Sequence, residues 1–455
     1  MHNSLLGLKV SANGRYLATT DGKPFFWLGD TAWELFHRLD REEADHYLRV
    51  RAEQGFNVVQ AALIGELGGL TVPNPYGRLP LTQDDQGRYN PAAPDTSDGY
   101  SYWDHVDHII ERAETLGIYM AIVPTWGDKF RQAWGEGPEI FDGSNSYAYG
   151  RWLGERYQDR SNIVWVVGGD RILETQRHFD VVMRMAAGLR EGDGGKHLIT
   201  LHPQGGMSSS YHVHDEEWLD FNMIQSGHGP ERDNYRLVEA DYNRVPVKPT
   251  LDAEPCYEDH GLDYTKGGYF DEADVRRAAY YAVFAGAFGH TYGHHAVWPL
   301  YNGSMGDEYG KPFFRDLAES GEYFVTTWKQ ALHKPGGRQM GHVRALMESR
   351  SMTDRVPDQT LVIHNREGSN HARAARGRHH AMVYMPNGVR TIVQMGRIEG
   401  AEVSASWFDP RTGESIPIGR YANEGEEAFQ PPTGGRGQDW VLVLDSLPLR
   451  GGQGE

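Results

Sequence analysis

What this 455-residue sequence lacks narrows its possibilities first. It has one cysteine, Cys256, so it can form neither an intramolecular disulfide nor a multi-cysteine metal site. It has no apolar run of about 18 residues, which excludes a transmembrane helix. Its start, MHNSLLGLKVSANGRY, has no basic region followed by a leader-type apolar run. As it stands the chain reads as cytoplasmic, or as the trimmed form of a secreted or periplasmic protein. Positive charge is scarce. Lys plus Arg is 45 against 63 Asp plus Glu, a formal charge of −18. Nucleic acid and anionic membranes both require a basic patch, so neither is an expected partner. Gly-x-Ser-x-Gly and His-Glu-x-x-His are absent, and no Gly-x-Gly-x-x-Gly follows the first strand.

The charge is unevenly distributed. Residues 336–455 hold 14 Arg, no Lys and 14 acidic residues, so the whole of the −18 lies in residues 1–335. That first segment also carries 10 of the 12 Trp and 16 of the 21 His. Carboxylates for proton transfer and flat rings for sugar faces are what a carbohydrate-active site needs. An enzyme-sized domain with an ordinary aromatic core accounts for the composition equally well.

Residues 8–26 alternate and turn at Asn13-Gly14 and Asp21-Gly22, predicting a small β-hairpin. Strands are then expected at 25–29, 57–64, 119–124, 163–168, 198–202, 221–225, 249–253 and 291–298. Helices are expected at 41–54, 103–116, 146–157, 176–190, 234–242, 272–288 and 314–330. Eight strands alternating with helices predict an α/β fold, a (β/α)8 TIM barrel, with a doubly wound open sheet as the alternative. The strands end in Asp30, Glu66, Trp126, Asp170, His202, His228, Glu254 and Trp298. In a barrel those ends share the face that carries the active site. Lys334-Pro335-Gly336-Gly337 reads as a linker. Beyond it the period falls to two, with runs at 342–347, 359–364, 380–385, 389–395, 401–408 and 439–445. These predict a C-terminal antiparallel β-sandwich over 336–455, after a barrel domain over 1–335. The basic stretch 368–377 reads as a mobile loop.

Two motifs carry the strongest chemical signal. VWVVGGD delivers Asp170 just past two glycines, either as a catalytic acid or as a helix cap. KPTLDAEPCYE sets Glu254 at a strand end, with Asp252 expected on the same side but deeper; a rim ion pair is the alternative reading. Asp170 falls on the fourth strand and Glu254 on the seventh. In a (β/α)8 glycosidase, acids at those two positions face each other across the pocket. Retaining hydrolysis needs two carboxyls roughly 5–5.5 Å apart, one as acid/base and one as nucleophile. FFWLGDTAWELF offers Asp30 and Trp33, to grip a sugar or, for Asp30, to cap a helix. The segment 65–101, which contains Glu66, is too long and too Gly/Pro-rich for a simple connection and suits a pocket wall. His290, His294 and His295 fall on the eighth strand, and His212 and His214 in a loop. His-x-His without a third spaced ligand does not specify zinc, so no metal or cofactor is assigned. Cys256 is a conceivable nucleophile, although a buried strand-end thiol is the commoner outcome.

Several segments resemble the apiosidase-like hydrolases of glycoside hydrolase family 140. They are NGRYLATTDGKPFFWLGDTAWELFHRL, GFNVVQAAL followed by GELGGLTVPNPYG, SNIVWVVGGD and PTLDAEPCYE. HHAMVYMPNG, WFDPRTGE and WVLVLD resemble the sandwich that follows in that family, often given a collagen-binding label. The resemblance spans essentially the whole chain. It implies a barrel plus sandwich and retaining exo-hydrolysis, with Asp170 as acid/base and Glu254 as nucleophile. The activity characterised in the family removes β-linked apiose from a galacturonic acid of the pectin rhamnogalacturonan II. Gly169 stands before the acid, so the contact that an Asn makes there to the 2-hydroxyl in many related barrels must come from elsewhere.

The expected partner is therefore an apiosylated plant glycan or glycoside; no protein partner is indicated. The expected sugar contacts are Asp30, Trp33, Glu66, Trp126, His202, His228, His295 and Trp298. Pectin is a polyanion and a −18 domain repels it, although salt screens that beyond about 8 Å. A neutral aglycone fits the charge at least as well. Another furanoside such as arabinofuranose, a non-catalytic carbohydrate- or collagen-binding role and a metal-dependent hydrolase stay open as alternatives.

Overall fold

The computed structural model describes residues 5–97, 99–230, 233–262, 267–304 and 323–448. A three-stranded antiparallel sheet comes first: β1 (Leu8–Val10), β2 (Leu17–Thr19) and β3 (Pro24–Phe25). Its Leu8, Leu17 and Phe25 are packed with the barrel interior. The barrel strands are β4 (Trp27–Thr31), β5 (Val58–Ala62), β8 (Tyr119–Val123), β9 (Ile163–Gly168), β10 (Ile199–His202), β12 (Asn222–Gln225), β13 (Thr250–Asp252) and β14 (Gly289–Tyr292). A β6–β7 hairpin (Leu81–Gln83, Tyr89–Pro94) lies between β5 and β8, and β11 (Met207–Ser208) pairs antiparallel with β12. The sheet runs β10-β9-β8-β5-β4-β14-β13-β12-β11, and all pairs but the last are parallel. The barrel closes where β10 meets the segment leading into β12: the Asp220 N–H donates to the Ile199 carbonyl (2.9 Å) and Thr200 Oγ1 to the Phe221 carbonyl (2.7 Å). The result is a nearly closed, nine-stranded barrel of parallel type.

The strands are apolar on both faces because both are covered. On β8, Tyr119, Ala121 and Val123 point into the barrel, while Met120 and Ile122 meet the helical layer. That layer contains α1 (Leu35–Arg38), α2 (Arg41–Glu53), α3 (Tyr102–Thr115), α4 (Gly143–Tyr157) and α5 (Gln176–Gly192). It continues with the one-turn α6 (Ser210–Val213), α7 (Asn234–Tyr242) and α8 (Glu272–Phe284). Side-chain caps start several helices: Ser101 and Asp104 form a capping box on α3, as do Asp142 and Asn145 on α4. The helix expected over 314–330 lies largely outside the described residues; its last residues form the turn Trp328–Ala331.

Two expectations are corrected downstream. Lys334–Gly337 is not a linker, and 342–347 is not a strand. Both belong to the helix Pro335–Glu348 or its cap. Proline is tolerated at a helix start, where its missing N–H has no intrahelical partner to lose. The two glycines allow close packing against the barrel. A Cβ on Gly336 would lie 2.3 Å from Glu258 Oε2, and one on Gly337 2.9 Å from Arg51 Nη1. Nor is 368–377 a loop throughout: Arg373–Arg376 is a largely buried strand, β17.

The C-terminal unit consists of antiparallel sheets. One comprises β15 (Val356–Pro357), β17, β18 (His380–Met385), β23 (Trp440–Ser446), β20 (Glu402–Phe408) and β21 (Ser415–Ala422), in that order. The other is β16 (Val362–Ile363), β19 (Thr391–Gln394) and β22 (Glu426–Phe429). Alternation on β18 and β23 serves two cores. Ala381, Val383, Leu442 and Leu444 fill the unit's own core, while Met382, Tyr384, Val441 and Val443 pack toward the barrel. Tyr384 stacks on Tyr280 of α8 with centroids 4.7 Å apart. Beside them, Arg276 of α8 and Asp439 form a buried ion pair at 2.6 Å.

Candidate active site

The strand ends surround a cavity of about 460 Å³. Asp170 and Glu254 both line it, with Trp33, Glu66, Trp126, His228 and Trp298. Local backbone chemistry brings Asp170 there. Gly168, Gly169 and Asp170 all have positive φ (94°, 119° and 50°), a region in which side chains are disfavoured. Space also demands the glycines: a Cβ on Gly168 would lie 2.7 Å from the His202 carbonyl oxygen, and one on Gly169 2.9 Å from the Gly127 nitrogen. Asp170 itself tolerates the left-handed region at some cost, as strained residues at functional sites often do. At β13, the N–H groups of both Ala253 and Glu254 donate to the Ile224 carbonyl (2.8 and 3.2 Å). Two residues opposite one is the pattern of a bulge, and it turns Glu254 into the cavity.

His202 joins the two acids. The backbone N–H of Asp170 donates to His202 Nδ1 (3.1 Å), so that nitrogen carries no proton. The proton therefore sits on Nε2, which lies 2.7 Å from Glu254 Oε2. His228 Nε2 lies 3.5 Å from the other carboxylate oxygen. Burial pushes Glu254 up, but the close imidazoles of His202 and His228 overcome it and hold the group at about 2. Asp170 moves the other way. Burial and then the negative charge of Glu254 raise it, against Arg171, His202 and the indole N–H of Trp134. One carboxyl is thus held ionised while its neighbour is driven toward the protonated form, the division of labour that acid/base catalysis needs. Glu66 is also raised, to about 8, by burial opposed by Arg171 and reinforced by Asp128 and Asp170.

Three expected sugar contacts lie elsewhere. Asp30 does not line the cavity. Its carboxylate faces α2, where Tyr47 Oη and Arg51 Nε both donate to Oδ2 at 2.6 Å. The strand ends at Thr31, two residues past the expected end at 29, and Asp30 sits on its outward-facing side with Leu28. His295 stands behind the wall, between Tyr323 and Phe324 with centroids 4.4 and 4.8 Å away. His202 is fully buried and does not line the cavity; it touches the two acids and the cavity-lining rings of Trp33 and Trp126. Asp252 does not share the side of Glu254; it accepts from Ser226 and Asn234 of the outer layer (2.9 and 2.8 Å). Cys256 is half-buried and burial pushes its thiol up, which disfavours the nucleophilic thiolate. His214 is occupied by Asn222 and the Pro246 carbonyl. Among the described residues no three His, Cys, Asp or Glu side chains are grouped to hold a metal ion.

The sequence reading missed Trp134, Gln204, Gln225, Tyr257, His260 and Tyr323, which also line the cavity. Tyr257 could have been found, since it lies three residues past Glu254; its hydroxyl is close enough for the Glu254 charge to raise it well above its ordinary value, after burial. Trp134 sits in a loop with no periodic signal.

The sequence matches two family models: apiosidase-like, catalytic domain, over residues 11–354, and "putative collagen-binding domain of a collagenase", over 356–445. No curated protein matches it. Among solved structures, one described as a glycoside hydrolase family 5 from Bacteroides vulgatus ATCC 8482 is 34% identical, with TM-score 0.85, covering 97% of this chain and 94% of its own. Another, described as a glycoside hydrolase, is 32% identical, with TM-score 0.83 and 97% of both chains covered.

Proposed function

The chain belongs to the apiosidase-like family and is a glycoside hydrolase; on that premise we propose that it is a retaining, exo-acting β-apiosidase of glycoside hydrolase family 140. Its nearly closed barrel is read as a (β/α)8 barrel with an added edge strand, and its C-terminal sheets as a β-sandwich. The observation that carries the mechanism is the pair of cavity carboxyls with opposed proton affinities, joined through His202.

In the first step Asp170 gives its proton to the glycosidic oxygen, while Glu254 attacks the anomeric carbon from the other side. The C–O bond breaks, the aglycone leaves as an alcohol and the sugar is held as an ester of Glu254. Asp170, now ionised, then takes a proton from water. The hydroxide attacks the same carbon and the ester is released. Trp33 and Trp126, with centroids 4.8 Å apart, offer flat apolar surface to the sugar. No step calls for a cofactor.

The negative charge of the chain favours a neutral apiosylated glycoside over a pectin fragment at low ionic strength. The test is a screen of aryl glycosides, including arabinofuranosides, and of apiosylated plant compounds, with products identified by chromatography. Release of free apiose supports the reading; release of arabinose without apiose overturns the sugar assignment, and no release from any glycoside overturns the activity.

A further inference from the structure

The acid/base is not open to the cavity on all sides. Trp134 Nε1 donates to Asp170 Oδ2 at 3.0 Å. Yet Trp134 is 41% exposed, unusual for so large an apolar side chain, and it lines the cavity. One face of its ring is backed by the fully buried guanidinium of Arg171, 4.3 Å from the centroid. The loop that presents it is pinned from two directions. Arg171 donates to the Trp134 carbonyl (2.6 Å) and to the Asp170 carbonyl (2.7 Å), tying loop to acid. Asp128 accepts from the N–H groups of Glu136 and Gly137 (3.1 and 2.8 Å). Gly135 has φ +85°, and a Cβ there would lie 2.8 Å from Glu66 Oε1, so the loop closes tightly behind the tryptophan. Beyond its stacking on Arg171, the half-exposed ring borders the cavity.

The proton of Asp170 goes to the leaving oxygen, so whatever flanks Asp170 on the solvent side flanks the leaving group. We propose that Trp134 forms the outer wall of the leaving-group subsite: its indole N–H holds Asp170 in the empty enzyme, and its ring carries the apolar face of a sugar or aryl aglycone when substrate binds. Trp134 is thus a positioning residue for the acid and a specificity determinant for the aglycone. The inference rests on the catalytic reading of Asp170 but not on the identity of the glycosyl group.

The two roles separate by substitution. W134F keeps a ring and removes the donor; W134A removes both. The charged or titratable groups around Asp170 are Glu254, His202, Arg171 and Glu66, and both variants leave all four in place. A lost hydrogen bond to the carboxylate raises the proton affinity of Asp170, by about half a unit to one unit. Carboxyl 13C NMR titration of the free enzyme, with D170N assigning the resonance, reads this without any turnover. The expected result is an upward shift in both variants; an unchanged midpoint in W134F overturns the positioning role. The second measurement compares hydrolysis of a methyl glycoside and an aryl glycoside of whichever sugar the wild type accepts. W134F should keep the aryl-to-methyl KM ratio within about threefold of wild type, whereas W134A should raise KM for the aryl substrate about tenfold or more beyond any change on the methyl substrate, with kcat falling alike on both. Equal changes in KM on the two substrates overturn the subsite. If the wild type hydrolyses arabinosides and not apiosides, the apiose reading fails while this test proceeds unchanged. If the NMR shift appears and no glycoside is cleaved, the catalytic reading fails and the subsite fails with it.

Discussion

His202 Nε2 lies 2.7 Å from Glu254 Oε2 while its Nδ1 accepts the backbone N–H of Asp170, so one imidazole contacts both acids. Its tautomer follows from these contacts, because protonating Nδ1 would break the bond from Asp170. H202A should therefore lower kcat by about 10²-fold. The acid limb of kcat/KM, which reports ionisation of Glu254, should rise from about 2 toward the ordinary carboxylate range. A pH–rate profile checks both. A loss of rate with an unmoved acid limb would contradict the role given to this contact.

Glu66 predicts an opposite dependence of stability on pH. Its folded value, about 8, lies above the unfolded value near 4.5, so between those limits the folded state binds more protons. Stability from this group therefore falls as pH rises from about 5 to 8. E66Q removes the penalty and can still accept from Arg171. Its Tm should match wild type near pH 5 and exceed it by about 2–4 °C at pH 8. Glu254 has the reverse sign. Its depressed value stabilises the fold above the ordinary carboxylate range, and that stability is lost as pH falls toward 2.

The barrel and the C-terminal sheets are joined through Arg276 and Asp439. The arginine also donates to Gln339 of the helix Pro335–Glu348 (2.7 Å), and Tyr384 Oη donates to Asp439 (3.3 Å). Removing one partner leaves a buried unpaired charge, so R276A should cost about 3–5 kcal/mol in chemical denaturation. The double variant R276M/D439L should cost less than the two single changes summed. A chain ending at residue 354 exposes Tyr280, Phe284 and Val343 from a shared core, and is expected to lose solubility before it loses chemistry. Additive single and double variants would contradict the linkage.

Much of this architecture is legible in the sequence, and the exceptions have physical causes. Apolar runs such as 163–168 mark barrel strands because both faces are covered. The acids at 170 and 254 stand out because glycine and proline frame them. Asp30 misleads because it lies inside β4, which runs on to Thr31, on the outward face it shares with Leu28, rather than just past the strand end. Pro335-Gly336-Gly337 reads as a break, yet proline suits a helix start and the glycines answer to Glu258 and Arg51, partners distant in sequence. The strand β21 escapes notice because it is largely exposed and carries Pro417 and Gly419 in place of an apolar alternation. Trp134 escapes because the loop that aims it is held by Arg171 and Asp128, contacts that no local pattern announces.

The central claim is that Glu254 forms the bond to the sugar while Asp170 supplies the proton. Its most direct test is the turnover of an activated aryl glycoside by E254Q, with far-UV circular dichroism and Tm confirming the fold. The account predicts a loss of at least about 10³-fold in kcat. Turnover within about tenfold of wild type by a folded E254Q would contradict it.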